Sequence, residues 1–159
     1  MRITIIAVGK IREAYWRSAL AEYQRRLGPY VRLSIIEVPD EPCPETGRTR
    51  DEEAAMAREA ARIRARIPAD SRVYVLDIAG KMMDSVSFAG LLESWPHQGC
   101  DHAVFVIGGS LGLEEALKAE AHGRISLSRL TFVHPMARVL LLEQIYRAMR
   151  IIRGEPYHK

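Results

Sequence analysis

The sequence predicts an α/β fold, a mostly parallel sheet flanked by helices, in a single domain over residues 1–159. Short β-branched runs alternate with longer amphipathic segments, the pattern that builds βαβ units. The strand-like runs are nearly all apolar, as strands covered on both faces are. Hydrophobic residues make up 48% and charged residues 27%, the balance of a folded domain rather than of a disordered chain.

Arg2 to Val8 is short, β-branched and closed by Gly9, and reads as a buried strand. From Arg12 to Leu27 the residues Tyr15, Trp16, Ala19, Leu20, Tyr23 and Leu27 recur at helical spacing, and Gly28-Pro29 stops the helix. Its other face carries Arg12, Arg17, Arg25 and Arg26. Tyr30 to Val38 is a second strand, ended by Pro39. The proline-rich stretch from Pro39 to Gly47 is a loop. Thr49 and Glu52 fit a capping box ahead of a helix over about residues 50–66. Arg72 to Asp77 is a third strand, Ser85 to Trp95 a short helix and His102 to Ile107 a fourth strand. A glycine-rich turn and a helix over 113–121 follow, then a mixed strand and loop from Ile125 to Phe132. Pro135 suits the first turn of a long last helix reaching Ile152.

No apolar run reaches the roughly 18 residues of a membrane-spanning helix. The first strand has one basic residue ahead of it and no small-residue cleavage site, so it is not read as a secretory signal. Cys43 and Cys100 form no CxxC pair and have no histidine context marking a reactive thiol. His97, His102 and His122 show no ligand spacing, so no metal is expected. Two isolated cysteines suit a cytoplasmic protein.

Net charge is only +3, but it is unevenly spread. Residues 1–32 carry seven Lys/Arg against two acids, a net +5; residues 33–123 carry nine against sixteen, −7; residues 124–159 carry seven against two, +5. Two basic ends around an acidic middle point to a polyanion-binding face assembled from the termini, or to ordinary solvated helix faces.

Ligands of open α/β sheets collect at the carboxyl ends of strands. Leu76-Asp77-Ile78-Ala79-Gly80-Lys81 follows the third strand, and Ile107-Gly108-Gly109-Ser110-Leu111-Gly112-Leu113 follows the fourth. No Lys-Ser/Thr pair follows these glycines, which excludes a P-loop, and their place and spacing do not fit a dinucleotide fingerprint. Alone they read as a tight strand-to-helix turn.

Further along come the run Ser126 to Pro135, then Arg138, then Glu143-Gln144-Ile145-Tyr146-Arg147, then Gly154-Glu155-Pro156-Tyr157-His158-Lys159. Taken in order with Ile5 to Gly9, Leu76 to Lys81 and Ile107 to Leu113, these motifs give a chain that resembles, over essentially its whole length, the ribosomal RNA large subunit methyltransferase H family of the SPOUT class. The resemblance implies a small α/β domain with a C-terminal trefoil knot, acting as a homodimer. It implies S-adenosyl-L-methionine as cofactor and N3 of a pseudouridine in 23S rRNA as the methyl acceptor, in the assembled ribosome. By analogy the cofactor contacts fall on Leu76, Gly108, Leu127, Ser128, Arg129, Leu130, Thr131 and Phe132. The Ile78-Ala79 and Ser110-Leu111 pairs lie at variable places of the pattern and receive no role.

The residues agree with that analogy. Leu76, Leu127, Leu130 and Phe132 would line an adenine slot, with the backbone of Gly108 and of 127–132 reading the base edge. Read alone, the leucines are equally ordinary core. Attack by N3 requires loss of an imide proton, hence a base or a cation that stabilises the anion. His158 in the basic tail would accept the proton and Tyr157 would stack on the target base, although terminal residues are often idle. Arg138 would hold a phosphate or the substrate carbonyls, or form a surface salt bridge to Glu143 or another acid. His134 reads as a helix-start or core histidine, and Glu143 and Gln144 as packing or pairing groups, including across a dimer interface. Two other functions stay open: a non-catalytic RNA-binding protein of the same fold, and a SPOUT enzyme acting on tRNA.

Overall fold

Five strands and five helices alternate over residues 1–42 and 49–157, the part of the chain that the computed structural model describes. They are β1 (Arg2–Val8), α1 (Ala14–Leu27), β2 (Arg32–Val38), α2 (Thr49–Arg64), β3 (Arg72–Met82), α3 (Ser85–His97), β4 (His102–Ile107), α4 (Glu115–Glu120), β5 (Gly123–Ser126) and α5 (His134–Ile152). The strands form one sheet in the order β2-β1-β4-β3-β5, every neighbouring pair parallel. β1 and β4 lie inside it and are the most apolar strands, β4 buried along its whole length.

Alternation along the strands divides the core into two layers. Ile3, Ile5, Ala7 and Phe105 face Leu20 and Leu27 of α1, Phe88, Leu92 and Trp95 of α3, and Leu141, Leu142 and Ile145 of α5. Ile6, Val8, Val75, Val104 and Val106 face Ala60 and Ile63 of α2 and Leu117 of α4. The connection from β4 therefore leaves on the opposite side of the sheet from those of β1 and β3, which opens crevices beside the end of β4, as at any topological switch point.

Three differences from the sequence reading are informative. β3 runs beyond Asp77 to Met82, because residues 77–80 loop out and the strand then pairs again: Leu76 and Lys81 both register with Ile125. Gly80 permits this, since a Cβ there would sit 2.7 Å from the backbone carbon of Ile125. The mixed segment after residue 123 is a strand of four residues and then a loop, with no regular strand beyond Ser126. Thr49 is the first helical residue of α2 rather than its cap, and the residue before it lies outside the described residues, as do Cys43 and most of the proline-rich loop. Cys100 is a free thiol. Among the described residues no helix is long and apolar enough to cross a membrane, and no group of three or more His, Cys, Asp or Glu could hold a metal ion.

Candidate functional site

The loops after β3, β4 and β5 enclose a cleft of about 770 Å³, closed at one end by the first turn of α5. The glycine-rich loop forms one wall. Gly112 donates its N–H to the Gly109 carbonyl at 3.1 Å and adopts a φ of 84°, so the chain reverses within four residues. The turn packs down on Gly108, where a Cβ would lie 2.7 Å from the Gly112 carbonyl carbon. Only glycine lets the two backbone segments approach this closely.

The opposite wall is the loop after β5. Buried Ser126 donates its hydroxyl to the Ser128 carbonyl at 2.8 Å, and the Ser128 hydroxyl accepts the Leu130 N–H at 3.0 Å. These internal bonds hold the loop in shape and turn its apolar side chains towards the cleft. Leu76, Gly108, Leu127, Ser128, Leu130, Thr131 and Phe132 all line it, so seven of the eight positions assigned to the cofactor converge on one wall set. Arg129 is the exception: it is exposed and does not line the cleft.

Ile78, Ser110 and Leu111, which sequence reasoning left without a role, line the cleft too, as do Asp77, Lys118 and His134. The sequence signal that could have found Asp77 is its place beside Leu76 at the carboxyl end of a strand. Lys118 carried none, because a lysine on a short helix looks like any solvated residue.

The apolar walls, the loop amides and one orphaned polar atom suit a nucleoside carrying a charged end. The orphan is Asp77 Oδ2, buried and without a hydrogen bond. Seven clustered lining positions and a charged terminus fit S-adenosyl-L-methionine, an adenine-bearing molecule with an amino-acid end.

The structure places Arg138 elsewhere than the sequence reading does. Its side chain is 1% exposed and reaches from α5 beneath the end of β1. One terminal nitrogen donates to Glu37 at 2.7 Å; the other donates to the carbonyls of Val8 at 2.8 Å and Gly9 at 2.6 Å. Burial lowers its pKa against the opposing pull of Glu37. Its acid is Glu37, not Glu143, and it is a core residue that positions the start of α5 rather than a group facing solvent. His134, one turn earlier, lies 3.3 Å from the same guanidinium, and burial together with Arg138 pushes its pKa down. It is therefore a neutral imidazole on the cleft wall.

Tyr157 does not line the cleft. Its ring meets Tyr146 edge-on at 4.9 Å, lies under the Arg147 guanidinium at 4.8 Å, and donates its hydroxyl to Glu143 at 3.3 Å. Burial and the Glu143 charge raise its pKa, so it stays a neutral phenol. His158 lies outside the described residues.

The two basic ends meet where α1 packs against α5. Arg26 lies 5.6 Å from the Tyr23 ring, Arg150 lies 6.0 Å from the Tyr146 ring, and Arg153 lies 4.5 Å from the Tyr30 ring and donates to the Pro29 carbonyl. Cations of the two termini thus lie among aromatic rings where α1 packs against α5, Arg26 paired with Glu22 and Arg150 with Glu155.

A solved structure from Haemophilus influenzae Rd KW20, titled as a probable methylase family protein, superposes with a TM-score of 0.56. It shares 13% identity, with 99% of this chain and 70% of that chain covered, a likeness of fold. Residues 1–158 match the family model described as "Predicted SPOUT methyltransferase". That match spans every loop that builds the cleft, and the chain belongs to the SPOUT methyltransferase family.

Proposed function

We propose that this protein uses S-adenosyl-L-methionine to methylate N3 of a pseudouridine in 23S rRNA, in the cytoplasm, as a homodimer acting on the ribosome. The observation that carries the cofactor half is the convergence of Leu76, Gly108 and five residues of 127–132 on one cleft. Those residues would hold the adenosine, its edge against the loop backbone and its ring against Leu127 and Phe132. When bound, the cofactor supplies an electrophilic methyl on a sulfonium, and the rest of the rate enhancement comes from placement.

The acceptor half rests on the tail motif and on the cations and aromatic rings gathered where α1 packs against α5. N3 of a pseudouridine must lose its imide proton to attack, and His158 is the base in this reading, with Tyr157 beside it to position the target ring. Tyr157 docks on the middle of α5, about nine residues and so about 14 Å along the helix from the cleft-lining Ala137. That separation favours a composite site, in which the tail of one subunit serves the cleft of its partner. Exposed Ile78, Met82, Leu130, Val133 and Met136 around the cleft offer the apolar surface a second subunit would cover. The C-terminal trefoil knot of the resemblance is part of the same reading.

Incubation with labelled S-adenosyl-L-methionine and ribosomes lacking the modification tests it. The expected result is label in the large-subunit RNA; label in tRNA alone, or none in RNA, would contradict it.

A further inference from the structure

The cations in and just ahead of α1 fall into two sets. Arg25 and Arg26 both pair with Glu22 and are neutralised within the helix. Arg58, Arg62, Arg64, Arg147 and Arg150 are likewise held by carboxylates. Lys10 and Arg12, just before the helix, and Arg17 in its first turn are exposed and have no ion pair among the described residues. Residues 10–17 hold these three cations against one acid, Glu13. Among them stands Tyr15, 65% exposed. Its ring lies 5.2 Å from that of Trp16, which is half-buried against the core, so the tyrosine is braced before any ligand arrives.

The same corner borders the cleft. A Cβ at Gly9 would lie 3.5 Å from the ring of His134, a cleft-wall residue. The Ile11 N–H donates to Glu37 Oε1 at 3.2 Å, the atom that also accepts from Arg138. The loop bearing Lys10 and Arg12 is thereby tied to the arginine that positions the start of α5. Of the acids that act on His134, Glu37 is taken by Arg138, and Glu13 and Asp40 pair with none of the three cations.

We propose that Lys10, Arg12, Arg17 and Tyr15 form a docking surface for a single-stranded polynucleotide, which on the acceptor reading above is the rRNA strand flanking the target nucleotide. Unpaired cations meet phosphates without first breaking an ion pair, and phosphate contacts set the register of the strand rather than its sequence. The exposed ring gives one unstacked base a face to lie on, a contact closed to a duplex whose bases already stack on one another. Cations alone would suit any polyanion; the ring among them selects a single strand. The surface belongs to the subunit whose cleft it borders, so it grips the strand in cis.

Fluorescence anisotropy with a labelled single-stranded oligoribonucleotide of about 12 nucleotides reads this surface without methyl transfer. Tyr15→Ala should weaken binding about tenfold, and Tyr15→Phe, which keeps the ring, should stay within about twofold of wild type. The double variant Lys10→Gln/Arg12→Gln should make the slope of log affinity against log salt shallower by about 1.4, from about 0.7 for each cation. Arg32 opens β2 and Arg66 follows α2, both exposed and unpaired at the opposite end of the sheet. Arg32→Gln/Arg66→Gln removes the same charge and should leave affinity within about twofold at physiological salt. Equal losses from the two double variants would overturn the proposal in favour of general charge attraction. So would duplex RNA bound as tightly as the single strand, full affinity in Tyr15→Ala, or no binding by the wild type. Methyl transfer to ribosomes tests the acceptor reading apart from this. Transfer by the wild type with oligonucleotide affinities unmoved by the variants removes this proposal alone. The expected affinity pattern without transfer leaves the surface standing and removes the acceptor reading.

Discussion

Arg138 on α5 and Glu37 on β2 form an ion pair at 2.7 Å that joins residues 101 positions apart. The same guanidinium closes the carbonyls of Val8 and Gly9, acceptors that the end of β1 would otherwise bury unpaired. The pair thus ties the loop after β1, the end of β2 and the first turns of α5 into one corner, and α5 begins at the cleft.

Arg138→Ala leaves Glu37 without its partner and two carbonyls without donors. Denaturant titration should show a loss of about 3 kcal/mol, less than for a fully buried pair because Glu37 is partly exposed. Arg138→Lys keeps the charge but lacks the fork that spans three acceptors, so it should recover only part of that loss. If Arg138 instead served the substrate alone, the lysine variant would melt like the wild type.

Gly108 and Gly90 make a matched pair of alanine substitutions. At Gly108 the new Cβ would overlap the Gly112 backbone, deforming the cleft wall at a cost of about 1–3 kcal/mol and weakening cofactor binding. Gly90, within α3, has nothing within 4 Å of the position a Cβ would take. Alanine there should stabilise by about 0.5–1 kcal/mol without touching ligand affinity. Equal effects at the two sites would contradict the geometry of the glycine turn.

The pH dependence just below about 6.5 belongs to the imidazoles of His102 and His134. Burial lowers the pKa of His102, whose Nε2 lies 2.9 Å from the Thr4 hydroxyl, and that of His134. With folded values below the unfolded value of about 6.5, the unfolded state binds more protons as pH falls below it. Stability should therefore be full above about pH 6.5 and decline below it. Glu59, raised by burial, acts in the opposite sense at lower pH, so the test is differential: His102→Asn should flatten the melting-temperature slope relative to wild type. An unchanged slope would rule out His102 as a contributor.

Removing Tyr157 to Lys159 should abolish methyl transfer while leaving affinity for S-adenosyl-L-methionine within about twofold, because Tyr157 lies on α5 and not on the cleft. Activity that survived the truncation would remove the tail from the mechanism.

Much of the fold is written in local pattern. β1 and β4 match their expected limits because buried parallel strands are short, continuous and punctuated by glycine or polar residues. The sequence pattern ends β3 at Asp77 because the four-residue excursion interrupts the apolar run, and only pairing with β5 restores it. The cleft was legible as loops at strand ends, but not which side chains of those loops turn inward: Ile78, Ser110 and Leu111 do and Arg129 does not. Arg138 was illegible for a different reason. A lone arginine on an amphipathic helix looks solvent-facing unless its carboxylate partner, distant in sequence, is known to fold beneath it.

The most direct test of the central claim is mass-spectrometric mapping of the nucleotide modified when the purified protein acts on unmodified ribosomes. A single methyl is expected on N3 of one pseudouridine in 23S rRNA. A methyl on any other nucleotide, or an RNA left unmethylated while the protein binds its cofactor, would contradict it.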